Sequence, residues 1–344
     1  MKIRNIELAD ISKYRGELMG MAILFVVLFH VSLPRTDMFF GLKRMGNVGV
    51  DMFFFLSGMG LWFSWSKAFD NPSPVAQQLK RFYLRRFLRI YPTWILVACA
   101  FYIPAYLNGK GYSANITDLI GDITINWDFW LHDELTFWYI PAQMMLYLFA
   151  PFYMELIRRH PAYRWLSVAM IMWCIIVQWV VPIHQAVGHI EIFWSRIPIF
   201  FLGINIGENI KRKDALEGQS LWLILLMFLM SFAACVYLEQ VRHGRFPLFV
   251  ERMLYIPMTI SGLMLLSMLL RHAPAWANTT FRFLGTLSLE IYLVHVHFVL
   301  KYISPYHLGY WPNVILCIII TLPIAWLLSK TMATVTKPLE KLAK

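Results

Sequence analysis

Charge is what this sequence has least of. Only 15% of its residues are Asp, Glu, Lys or Arg and 59% are hydrophobic, whereas an ordinary soluble domain carries about a quarter charged residues. Apolar segments recur from end to end, and none of the polar stretches between them is long enough for a separate soluble domain. Cysteine is scarce too. Cys99, Cys174, Cys235 and Cys317 each lie in an apolar stretch and form no CxxC pattern, so they imply neither a disulfide framework nor a metal site. No period of 20–50 residues repeats and no low-complexity tract occurs. The two halves share no similarity, which weakens an inverted-repeat transporter reading. The first apolar run lacks an Ala-x-Ala-like cleavage site and reads as a retained helix.

What is present is an all-α pattern, a polytopic transmembrane bundle in one domain covering 1–344 with no fused soluble domain. Spans are expected near 18–34, 48–66, 88–107, 136–157, 163–183, 191–209, 219–239, 250–270, 283–303 and 311–333, about ten in all. Residues 108–135 carry Asp118, Asp122, Asp128, Asp133 and Glu134 too often for a span, and read as an external loop with an interfacial helix. The net charge of +11 does not mark a nucleic-acid binder, because the basic residues sit in short loops and not on one soluble face. With the amino terminus inside, about 22 Lys and Arg fall on the inner side and about 8 on the outer, which places both termini in the cytoplasm. A bacterial-type inner (plasma) membrane is the expected location, with membrane lipid as a partner.

Within the first span, YRGELMGMAILFVVLFH (14–30), the apolar part carries one ionisable side chain, His30. A histidine at that depth is costly unless it faces protein or water, so it marks either a functional site or a hydrogen bond to a neighbouring helix. In GNVGVDMFFFLSGMGLWF, Asp51 stands at the mouth of the second span, where a carboxylate could hold a histidine in one tautomer. Ser57, Gly58 and Gly60 follow inside it, small enough for close helix approach. The loop after it, KRFYLRRFLRIYP, places Arg85 or Arg86 beside Arg89 on one helix face. Guanidinium groups so placed suit phosphate oxygens, while a positive-inside anchor on anionic lipid would explain them at about 1 kcal/mol per charge. Arg196 is expected to pair with Glu191 or with a group on another helix, in a structural or site-lining role. Trp138 and Tyr139 read as interface-belt residues.

The segments AILFVVLFH (22–30), NVGVDMFFFLSG (47–58), RRFLRIYP (85–92), FWYIPAQMMLYLFAP (137–151), RIPIFFLGINIG (196–207) and LGTLSLEIYLVH (284–295) together resemble the acyltransferase 3 family of integral membrane O-acyltransferases, in the family's order. Each alone is mostly apolar; six in order are specific. The resemblance implies an essential role for His30 and a role for Arg86 and Arg89 in handling the acyl donor, which would be acetyl-CoA or another short acyl-CoA. The family's arginine eleven residues before the histidine is replaced by Met19, and Arg15, one turn further out on nearly the same face, is the expected substitute unless it simply pairs with Glu17. Glu290, His295 and His297 fall in or beside the last motif, and at least one of the three is expected in the bundle interior.

These readings converge on transfer of an acetyl group from cytoplasmic acetyl-CoA to a hydroxyl of a cell-surface glycan or glycolipid. His30 would act as general base or as transient acyl carrier. That requires a path from the basic inner loop to its imidazole, about 18 Å along the helix from Leu18. Some relatives carry an external hydrolase-like domain; here such help would come from a separate external protein. The alternatives are a transporter or flippase of a small acylated or glycosylated molecule and a noncatalytic scaffold.

Overall fold

The computed structural model describes residues 5–70 and 74–340, so Lys2, Arg4, Lys341 and Lys344 of the charge count lie outside the described residues. The described chain is helical almost throughout, with one two-residue pairing: β1 (Ile6–Glu7) runs antiparallel to β2 (Ala215–Leu216). The principal helices are α1 (Arg15–His30), α2 (Val48–Asp70), α3 (Val75–Leu107), α4 (Tyr139–Arg159), α5 (Leu166–Trp179), α6 (Ile197–Arg212), α7 (Ser220–Arg242), α8 (Leu248–His272), α9 (Ala275–Thr286), α10 (Ser288–Val294) and α11 (Tyr310–Glu340).

Among the described residues seven helical stretches are long and apolar enough to cross a membrane, or up to nine if each of two bent pairs is one span. The bends are 44° between Val181–Trp194 and Ile197–Arg212, and 60° between Ala275–Thr286 and Ser288–Tyr306. The span expected at 18–34 is only the 16-residue α1, about 24 Å long, because the chain turns extended at Val31. Among the described residues the helices that meet the length and apolarity of a span thus number seven to nine, against about ten expected, and α1 is too short to be among them.

α1 carries apolar residues around its whole circumference, and between Leu18 and Val27 it is largely buried among other helices. It is gripped by α9 at a backbone crossing where Gly20 lies on the Phe281 carbonyl and Gly285 on the Gly16 carbonyl, with no room for a Cβ at either. The same device joins α2 to α6, where Gly58 lies on the Phe200 carbonyl and Gly203 on that of Phe55. Gly60 instead leaves space for the Arg15 guanidinium, whose Nη2 lies 3.1 Å from where a Cβ would stand. Arg15 donates from Nε to the Leu56 carbonyl at 3.1 Å. Glu17 does not pair with Arg15 but accepts from Arg282 Nη2 and Nε at 2.5 and 3.0 Å.

The acidic loop contains the expected helix. Ile116–Ile125 is capped by the Asn115 side chain, which accepts from the backbone N–H of Thr117 and Asp118. Asn126, at φ 58°, turns the chain into Trp127–Leu131 and holds the loop to the bundle, accepting from the Tyr102 hydroxyl and donating to the Thr136 carbonyl. Burial, then the nearby charge of Asp122, pushes the Asp128 carboxyl up to about 6. The folded loop thus favours protonated Asp128. This contribution is full below about pH 4 and is lost as pH rises through about 6. Amide exchange of residues 113–135, corrected for its intrinsic pH dependence, should show protection falling between about pH 4 and 6, and Asp128→Asn should flatten that fall.

Candidate active site

His30 ends α1, exposed at its rim, and its Nδ1 lies 2.8 Å from the Val26 carbonyl oxygen and 3.2 Å from Nε2 of His295. The two ring centroids are 4.9 Å apart at 74°. His295 is fully buried and opens a turn of π-helix, His295–Leu300, immediately after α10. Such widened turns recur at functional sites. Its Nδ1 is 2.9 Å from the carbonyls of both Ile291 and Tyr292.

These contacts assign the protons of the neutral rings. A carbonyl oxygen only accepts, so Nδ1 carries the hydrogen in both. Nε2 of His295 then accepts from His30 Nδ1–H, and Nε2 of His30 keeps its lone pair. His30 is thus hydrogen-bonded to a neighbouring helix and is also left with one free basic nitrogen.

Beneath the pair lies a narrow cavity of about 60 Å³. Its lining includes Arg15, Met19 and Val26 along α1, together with Ser57, Arg89, Tyr139, Gln143, Tyr147 and Tyr292. The carbonyls of Val26 and Tyr292 are those that hold His30 and His295, so the cavity stops one helical turn below the two rings. Tyr139 donates to Gln143 Oε1 at 3.0 Å, while the buried Nε2 of Gln143 has no protein partner. At about 60 Å³ the cavity has room for a few water molecules, and its lining reaches neither imidazole.

The expected site residues divide into those that meet this cavity and those that do not. Arg15, Arg89 and Ser57 line it. The basic stretch expected as a loop is the first part of α3; Arg86 stacks on the Phe82 ring at 4.2 Å, Arg85 and Arg89 are exposed, and of the three Arg89 lines the cavity. Glu290 is buried with Oε2 unpartnered. His297 packs its ring on Phe137 and Phe101, 4.5 and 5.0 Å away. Asp51 does not orient His30. It is held by Arg196 Nε at 3.2 Å in a wholly buried ion pair. Arg196 also donates to Asn47 Oδ1 and to the Ile192 carbonyl, and lies over the Trp138 ring at 5.1 Å. Glu191, the other expected partner of Arg196, accepts from the Phe249 N–H. Trp138 and Tyr139 are therefore not belt residues: one covers an internal cation and the other lines the cavity. Among the described residues no three His, Cys, Asp or Glu converge as a metal site.

Gln143, Tyr147 and Tyr292 also line the cavity, and none of the three is conspicuous in the sequence. Tyr139, Gln143 and Tyr147 recur every fourth residue, which puts them on one face of α4, and that spacing is the one signal the sequence offers.

A family model described as an acyltransferase domain matches residues 18–330. The chain belongs to the acyltransferase 3 family. The six ordered motifs, which run from residue 22 to residue 295, fall within that match. The chain is also 29% identical over 170 residues to Regulator of hypoxia-inducible factor 1 of Caenorhabditis elegans, an alignment covering 41% of this chain and 33% of the worm protein. The chain thus spans about a third of the length of that curated relative. No solved structure matches.

The buried ion pair gives a prediction separable from catalysis. Asp51→Ala leaves Arg196 charged and unpaired and should destabilise the fold by about 3–5 kcal/mol. Adding Arg196→Met should recover most of that loss in thermal unfolding; a further drop would place the function of the pair elsewhere.

Proposed function

We propose that the protein transfers an acetyl or other short acyl group from cytoplasmic acyl-CoA to a hydroxyl of a cell-surface glycan or glycolipid. The single observation that carries this reading is the cavity joining Arg15 and Arg89 to the turn beneath His30 and His295. The Lys and Arg bias supports a cytoplasmic position for the arginine end, on the side of an inner (plasma) membrane where CoA would be available. The phosphates of CoA would rest on Arg89 and its neighbours, and the pantetheine arm would extend between Ser57, Tyr139 and Gln143 once these side chains part, because the resting cavity of about 60 Å³ holds only a few waters. The unpartnered amide of Gln143 is free to donate to that arm's carbonyls.

In the reaction, Nε2 of His30 takes the proton of the acceptor hydroxyl as its oxygen attacks the thioester carbonyl. The tetrahedral intermediate collapses with cleavage of the C–S bond, and the His30 imidazolium returns its proton to the departing thiolate as CoA–SH. Nε2 of His295 accepts from His30 Nδ1–H throughout. It shares that N–H with the Val26 carbonyl, which sets the tautomer, and it steadies the transient imidazolium, a part played in a serine-hydrolase triad by a carboxylate. A carboxylate would do so more strongly; a neutral imidazole leaves no net charge in the resting site.

The same nitrogen could accept the acyl group itself before passing it on. Rapid quenching with labelled acetyl-CoA and no acceptor separates the routes: protein-bound label appears only if His30 is acylated.

His30→Ala should lower acceptor-dependent thiol release from acetyl-CoA by about 10²–10⁴-fold in lipid nanodiscs, with the melting temperature little changed. Full turnover in this variant would remove His30 from the reaction. Arg89→Gln, measured in the same assay, should raise KM for acetyl-CoA by about tenfold, roughly the 1.4 kcal/mol of one charge-assisted contact, and leave kcat nearly unchanged.

A further inference from the structure

α1 also forms one wall of a second and much larger cavity, of about 840 Å³. Val26 and Met19 face the narrow cavity, whereas Phe25 and Leu28 face this one. Its other walls come from the 33–48 segment, α7, α8 and the start of α11, and its lining is overwhelmingly aliphatic and aromatic. Leu229, Leu269 and Trp311 at its rim are more than half exposed, so it opens sideways from a bundle whose outer faces are themselves apolar. A space of this size and character at membrane depth is a ligand pocket that hydrocarbon fills and water does not.

Its polar margin is small and chemically directed. Lys43 lines it and reaches over the Phe29 ring, 5.3 Å from the centroid, and that ring stands edge-on to His30 at 5.1 Å. The neighbouring Arg44 is neutralised by Glu239 at 2.9 Å. Among the described residues Lys43 has no ion-pair partner, so it is the free cation of this margin. Asp37, the one carboxylate there, accepts from the Phe39 N–H of its own turn. A head group beside Lys43 would thus be one aromatic ring from the imidazole.

We propose that this cavity binds the hydrocarbon tail of an anionic, single-chain lipid with its head group at Lys43, which presents a lipid-borne hydroxyl to His30 as the acyl acceptor. The acceptor role rests on the acyl-transfer reading above; occupancy of the cavity does not. The two substrates then enter on opposite sides of α1, the donor along its Met19–Val26 face and the acceptor along its Phe25–Leu28 face.

The test uses the full chain in nanodiscs with two photoreactive probes of identical chain: hexadecyl phosphate carrying a mid-chain diazirine, and the uncharged hexadecyl glycerol equivalent. No acyl donor is present, so failure here is distinct from failure of catalysis. The phosphate probe should label residues 225–232 and 258–269, and excess unlabelled hexadecyl phosphate should compete. Lys43→Gln should reduce phosphate labelling about five-fold, as for loss of one basic residue near an anionic group, without changing the neutral probe. Gly262→Leu with Leu266→Trp should abolish labelling by both. Labelling spread evenly over the lipid-facing helices, or unaffected by competitor in the unaltered protein, would overturn the site. An unchanged phosphate preference in Lys43→Gln would overturn the head-group assignment.

Discussion

A polar group inside a hydrocarbon layer must be answered by another group of the same protein, and this constraint orders the whole interior. Arg196 is met by Asp51, Asn47 and a peptide carbonyl at once. Glu17 is met by Arg282, and His295 by two carbonyls of its own helix and by His30. Because carbonyls accept and never donate, that last arrangement leaves the neutral rings one pattern of protons. The chemistry of the site thus follows from how its helices satisfy their own peptide groups.

The position of the pair depends in turn on backbone contact. α9 can lie on α1 only because glycines occupy both sides of the crossing. The 60° bend after it directs α10 along α1, toward the end where His30 stands. A larger residue at Gly20 or Gly285 would push α9 off α1 and with it the turn that carries His295. The short α1 is consequently a partition, with the narrow polar cavity on one face and the wide apolar cavity on the other. His30 stands at the end of this partition, one helical turn beyond Val26 of the narrow cavity and next to Phe29, which neighbours Leu28 of the wide one.

Much of this is legible in the residues. Long apolar runs separated by basic loops dictate a helical membrane protein, since helices are the structures that satisfy their own backbone without water. His30 stands out as the one ionisable group in the apolar part of its run, and Gly58 as a close-approach residue of α2. Arg15 and Arg89 are candidates by helical spacing, and both reach the cavity. Asp51 is the counter-example, because its place on a helix says nothing about which neighbour packs there. Its charge partner lies 145 residues away on α6. Tyr139 misleads for the same reason: an aromatic near a span end looks identical in sequence whether it meets lipid or protein.

The sequence by itself determined the helical membrane character and the set of residues able to do chemistry, because periodicity and side-chain type are local properties. Only the tertiary structure decided that His30 meets His295, that Asp51 belongs to Arg196, and that two cavities flank α1. These are contacts between residues far apart in the chain, set by helix crossings and by the bend between α9 and α10. No local pattern encodes the direction in which such a crossing turns a side chain.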